Sequence, residues 1–168
     1  MENLVYAIIL LPLFGFVING LLGKHLPKMV VGALATLVVF ASFLISVNIF
    51  LGFTDHSAPI IVKAFEWFTV GGVQVNFGFQ IDQLSLMMMM IITGIGSLIH
   101  LYSIGYMSHD KGFYKFFTYL NLFIFSMLLL VMGSNYLILF IGWEGVGLCS
   151  YLLIGFWYEN KEYGKAAR

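Results

Sequence analysis

Apolar residues fill five long blocks of the chain, and the polar positions gather almost entirely in the gaps between them. Leu4 to Leu22 and Met29 to Phe50 are the first two blocks, parted by the basic turn GKHLPK at 23–28. At about 1.5 Å of rise per residue, each is long enough to cross the roughly 30 Å hydrocarbon core of a bilayer as a helix. The first block follows an acidic Glu2 rather than a basic n-region and lacks a small-residue cleavage pattern. It is therefore expected to remain in the mature chain, with Pro12 as a site for a kink. Leu84 to Met107, Phe116 to Met132 and Tyr136 to Trp157 predict three further spans, joined by SHDKGFYK at 108–115 and by the tight turn Gly133-Ser134-Asn135. The polar end YENKEYGKAAR, from Tyr158, trends helical.

The segment 54–82 has a different period. VQVNFGFQI at 73–81 alternates apolar with polar or glycine at period two, which is the pattern of a strand. Gly71-Gly72 just before it predicts a two-residue hairpin of the primed type. Pairing Val70 with Val73 sets Phe68 opposite Val75, Glu66 opposite Phe77, Trp67 opposite Asn76 and Thr69 opposite Gln74. One face is mostly apolar and should rest on protein or on the membrane interface. Asp82 stands where it caps the third helix. The sequence thus divides into spans one and two (1–53), a hairpin loop (54–82), span three (83–107), spans four and five (108–158) and a polar segment (159–168).

Composition agrees with a multi-pass, all-helical membrane chain. It is 61% apolar and 10% charged, with a mean hydropathy of +0.97, whereas soluble domains carry about 25% charged residues. The net charge is zero and no basic stripe suggests nucleic acid. Cys149, the single cysteine, excludes an internal disulfide and reads as a small packing residue. Met87 to Met90 would cover every face of a helix, which suits adaptable packing better than a metal site. There is no phosphate loop and no catalytic triad pattern, so the chain offers no soluble active site. Lys24, Lys28, Lys111, Lys115, Lys161, Lys165 and Arg168 fall on one side of a five-span arrangement, and Lys63 alone falls on the other. The positive-inside rule then puts the amino terminus and hairpin outside and the carboxyl terminus in the cytoplasm.

Two ionisable groups lie within spans. Glu144 is the only charged residue between Tyr136 and Trp157 and sits about 12 Å into its helix, near the midplane. A carboxylate there costs on the order of 2.5–3.5 kcal/mol on insertion scales. A bound proton, a basic partner or internal water would offset this, and each expects Glu144 to face the inside of a helix bundle. Leu137, Phe140, Ile141, Gly147, Leu148 and Tyr151 share its face. Gly147 leaves room beside the carboxyl group, Tyr151 offers a hydroxyl, and Gly142 and Gly145 thin the helix for a close neighbour. His100, in the third span, is a candidate proton-relay group because its charge changes near neutral pH. A purely structural, hydrogen-bonded role remains the alternative for both.

The run GWEGVGLCSYLLIGFWY at 142–158 resembles the fifth-helix signature of the antiporter-like subunits of respiratory complex I called L in bacteria and chain 5 in mitochondria. IDQLSL at 81–86, TGIGSLIHLYSIGYM at 93–107 and FFTYLNLFIFSMLLLV at 116–131 resemble the same subunits in the same order. The resemblance implies a proton-translocating membrane subunit in which Glu144 pairs with a lysine on the seventh helix and His100 fits the family pattern. It implies that NAD, FMN, iron–sulfur clusters and quinone belong to other subunits. The implied partners are the other membrane subunits, above all the neighbouring antiporter-like one, together with lipid. The implied location is a bacterial inner membrane. It also implies a longer protein, built from two inverted repeats, of which spans four and five begin the first; alone, this chain should not pump. Two alternatives stand beside it: the large subunit of a multisubunit Na+/H+ antiporter, and a haem- or quinone-bearing anchor with His100 as axial ligand.

Overall fold

The computed structural model describes residues 2–53, 58–159 and 161–167. In chain order the elements are α1 (Glu2–Leu22), α2 (Lys28–Gly52), β1 (Ile60–Val70), β2 (Val73–Ile81), α3 (Gln83–Tyr106), α4 (Phe113–Met132), α5 (Tyr136–Ile154) and α6 (Lys161–Ala167). Five of these helices are long and apolar enough to cross a membrane. Four of them, α1 to α4, form a bundle in which α4 packs on α1, α2 and α3. Pro12 lies within an uninterrupted α1.

The bundle core is apolar towards the hairpin, where Ile8, Val39, Met89, Leu128 and Met132 meet. Towards the opposite end it is built from Val31, Ala35, Met107, Phe113 and Phe117. The methionine run fans around α3 as its spacing requires: Met89 is fully buried and Met87 is exposed. Lys28 Nζ donates to the Ser108 carbonyl at 2.7 Å, which joins the α1–α2 turn to the α3–α4 turn. At the other end Ser134 N–H donates to the Gly78 carbonyl at 3.1 Å, joining the α4–α5 turn to the hairpin. The basic turns and the hairpin therefore occupy opposite ends of one bundle.

Gly71 and Gly72 take φ of 57° and 83°, the positive values that a primed two-residue turn needs. Pairing starts as the alternation predicts, with Val70 opposite Val73, Thr69 opposite Gln74 and Phe68 opposite Val75. It then departs from the simple register. A bulge between Glu66 and Phe68 moves Glu66 from Phe77 to Asn76 and leaves Trp67 without the Asn76 partner expected for it. The extra residue brings Phe65 over Phe77, with ring centroids 5.1 Å apart and planes 6° from parallel. An unbulged strand would set a charge against Phe77 and Phe65 against Gly78, so the bulge exchanges a poor pair for an aromatic one. Val62, Phe79 and Ile81 bury the hairpin's apolar face on the helices.

Asp82 caps α3. Its carboxylate accepts from Ser85 N–H at 2.8 Å, and its own N–H donates to Ser85 Oγ at 2.7 Å, which closes a capping box. These bonds, the Ser85 backbone bond foremost, hold the Asp82 carboxyl below the usual carboxylate range. Because the folded value lies below the unfolded one, this contribution is present above about pH 4 and is lost as pH falls through the lowered value. Asp82→Ala is expected to destabilise the protein by about 1 kcal/mol. Thermal unfolding in detergent at neutral pH should show the lower midpoint, and the gap to the parent should narrow on acidification.

Candidate functional site

Glu144 is set by three attachments of α5. At its start, Asn135 caps the helix: its side-chain oxygen accepts from Leu137 and Ile138 N–H, each at 3.1 Å. The same side chain donates through Nδ2 to the Asn76 carbonyl of β2 at 2.7 Å, so one residue fixes both the helix start and its bond to the hairpin. At the far end α5 stops at Ile154, with Gly155 as its cap, three residues short of the span predicted to Trp157. The chain turns there, and Trp157 Nε1 donates to Asp110 Oδ2 at 2.9 Å. That donation, followed by one from Gly112 N–H, holds the Asp110 carboxyl below its usual range.

The third attachment is the glycine face. A Cβ on Gly142 would lie 2.7 Å from Leu130 Cα and 2.9 Å from the Ser126 carbonyl oxygen, and one on Gly145 would lie 2.6 Å from Ser126 Oγ. Cys149, fully buried, continues the same stripe. Backbones approach this closely only where small residues line the seam, and the neighbour is α4.

Glu144 therefore points the other way. Glu144 is exposed in this chain, and among the described residues no hydrogen bond or ion pair reaches it, so whatever encloses the acid in a bundle is not supplied by α1–α4. Leu137, Phe140, Ile141, Gly147, Leu148 and Tyr151 share that outward face as their spacing requires, and all are exposed. The space beside Gly147 is open, with nothing within 4 Å of an added Cβ. The physical reason is that α5 packs chiefly on α4 among the bundle helices, so 17% of its span is buried against 33–50% in the other four. The close seam with α4 takes the glycine side, and the acid is left opposite.

His100 is placed inside the bundle, 1% exposed. Its Nδ1 lies 2.8 Å from the Gly96 carbonyl, and a carbonyl can only accept, so Nδ1 carries a proton. Phe117 of α4 covers the ring, with centroids 6.1 Å apart. Nε2 has no hydrogen-bond partner, nor does either amide atom of Asn121, itself fully buried on α4. The structure does not bring His100 and Glu144 together; His100 packs within α1–α4 and Glu144 lies on the far side of α5. Asp82 belongs to a third place, the hairpin end of α3. A haem site does not fit these residues, because Phe117 covers His100 and the imidazole is enclosed by the bundle. His25 and His109 lie exposed in turns, and His56 falls outside the described residues. Asn121 and Asn135 carry more of the arrangement than their sequence context suggested; a lone amide in an apolar span was the available signal for Asn121, and an Asn just before an apolar block was that for Asn135.

Comparison with known proteins agrees with this geometry. Residues 67–117 match the family model described as NADH-ubiquinone oxidoreductase (complex I), chain 5 N-terminus, and residues 133–168 match NADH:quinone oxidoreductase/Mrp antiporter, TM. NADH-quinone oxidoreductase subunit L of Campylobacter jejuni is 47% identical over 99% of this chain and 27% of its own length. Subunit L of Rickettsia felis is 45% identical over 99% of this chain and 26% of its own length. That of Mycobacterium tuberculosis is 45% identical over 97% and 26%. The chain thus spans about a quarter of the length of the curated relatives it matches. A solved chain of the Mrp complex from a Dietzia species shares the fold, with a TM-score of 0.70 at 24% identity over 89% of this chain and 16% of that one. With two family models matched in order and such identity along nearly all its length, the chain belongs to the antiporter-like subunit L family of NADH-quinone oxidoreductases.

Proposed function

We propose that this chain is part of a proton-translocating membrane subunit of an NADH:quinone oxidoreductase, and that Glu144 is its proton-handling group. The observation that carries the reading is an acid at the middle of an apolar span, on a face its own bundle does not cover. Left against lipid it is costly; set against further helices of a longer protein, with a cation or water beside it, it can hold and release a proton. Gly147 leaves the room for that partner, and Tyr151 adds a hydroxyl on the same face. His100 is proposed as a second protonatable site, and Asp82 as a support that fixes the start of α3. NAD, FMN, iron–sulfur clusters and quinone would belong to other subunits, so the redox chemistry lies elsewhere in the complex. The hairpin end is assigned to the outside and the basic turns to the cytoplasm of a bacterial inner membrane, on the charge asymmetry alone.

The relatives' printed names favour this over the large subunit of a multisubunit Na+/H+ antiporter. Proton uptake into vesicles per NADH oxidised, at equal complex content, tests it. Lys63 serves as the control, since its exposed pair with Glu66, 2.9 Å apart, contributes little. Lys63→Ala is expected to leave the uptake ratio unchanged.

A further inference from the structure

We propose that Asn121 is the positioning residue of a buried proton-holding site at His100, meeting Nε2 as a donor when the imidazole is neutral and as an acceptor when it is charged. This deepens the translocation reading and rests on His100 being protonatable. The tautomer of His100 is set by its bond to Gly96. With Nδ1–H committed to the Gly96 carbonyl at 2.8 Å, the neutral ring presents Nε2 as a bare acceptor, and a second proton can enter only there. Nε2, Asn121 Nδ2 and Asn121 Oδ1 are three buried polar atoms without partners, gathered on adjoining faces of α3 and α4. Buried polar groups are normally bonded, and Asn121 lies one turn beyond Phe117, the residue that covers this imidazole, on the same face of α4.

An amide suits the task because its donor and acceptor are nearly the same size. A half-turn about its last torsion exchanges them within one envelope, so Nε2 keeps a partner in both protonation states. Leucine could serve neither state, and an ionised aspartate only the charged one. The room for this amide comes from α1: a Cβ on Gly15 would stand 2.8 Å from Asn121 Nδ2 and 3.1 Å from its Cγ. Phe117 closes the remaining side.

No carboxylate competes for the role. α2 and α4 carry no acid at all. The titratable or charged groups on the elements packed against α3 are Lys28 at the first residue of α2 and Tyr114, Lys115 and Tyr119 near the start of α4. On α3 itself Tyr102 and Tyr106 are exposed, and Asp82 caps the opposite end of the helix. A proton on Nε2 is thus met by an amide dipole rather than by a counter-charge.

The test is solid-state NMR of the full-length protein in bilayers. Ring-[15N]His labelling gives the imidazole resonances, and those of His100 are assigned by their loss in a His100→Gln variant. At alkaline pH the parent should show the Nδ1–H tautomer with a hydrogen-bonded Nε2. In Asn121→Leu the Nε2 resonance should move to the position of an unbonded nitrogen. In Asn121→Asp the imidazolium should persist to higher pH than in the parent. Either an Nε2–H tautomer in the parent or an Nε2 resonance unchanged in Asn121→Leu would overturn the proposal. If Asn121→Leu does not accumulate, the parent tautomer and the Asn121→Asp shift decide. None of these readings uses proton uptake, so a failure of the translocation reading would be seen separately.

Discussion

Gly142→Val is expected to abolish docking of α5 on α4 and, with it, accumulation of the assembled protein. Even the first carbon of a new side chain at this position meets backbone, 2.7 Å from Leu130 Cα and 2.9 Å from the Ser126 carbonyl, and neither atom can rotate aside. Overpacking of a well-packed core costs about 1–3 kcal/mol, and a seam that must separate along its length should reach or exceed the upper figure. Little else holds α5: its other anchors are Asn135 at one end and Trp157 at the other. Gly105→Ala is the matched control, because nothing lies within 4 Å of its added carbon. Quantitative blotting of membranes, followed by thermal unfolding of what remains, should show near loss for Gly142→Val and parental levels for Gly105→Ala.

Glu144→Gln is expected to leave assembly intact and remove proton transfer along this subunit's route. The exchange keeps size and hydrogen-bonding capacity, and Glu144 makes no bond or ion pair within the described residues that its loss could break. The amide cannot accept and release a proton near neutral pH, so the step that depends on it should slow by about 100-fold, the lower end of what a positioned proton-transfer group contributes. NADH oxidation at equal complex content, read beside vesicle acidification, separates lost coupling from lost assembly. An uptake ratio equal to the parent's would remove Glu144 from the route.

Much of the fold was legible because a bilayer demands long apolar blocks and sends the charges into the turns between them. The hairpin turn and the Asp82 cap were legible for local reasons, two glycines between valines and an acid before a helix. The register beyond Val75 was not, since a bulge is decided by which side chains on both strands pair better, here Phe65 with Phe77. The outward direction of Glu144 was hidden for a different reason. α5 is apolar on nearly all sides, and in lipid a hydrophobic face does not mark the inside of a bundle. Gly142 and Gly145 did carry that information, because they mark where a neighbouring backbone can come close. The His100 site was half legible: the imidazole stood out in its span, whereas the amide that answers it on α4 is brought there only by the packing of α1, α3 and α4.

The central claim is that the Glu144 face of α5, open in this chain, meets protein rather than lipid in the assembled membrane. A nitroxide attached at Gly147→Cys in a background whose native cysteines, Cys149 among them, are replaced by serine, with the full-length protein purified and returned to bilayers, reports that environment through its collisions with oxygen and with a water-soluble nickel chelate. The account predicts low accessibility to oxygen, as for a label packed among helices. High oxygen accessibility with none to the chelate, the signature of a lipid-facing site, would contradict it.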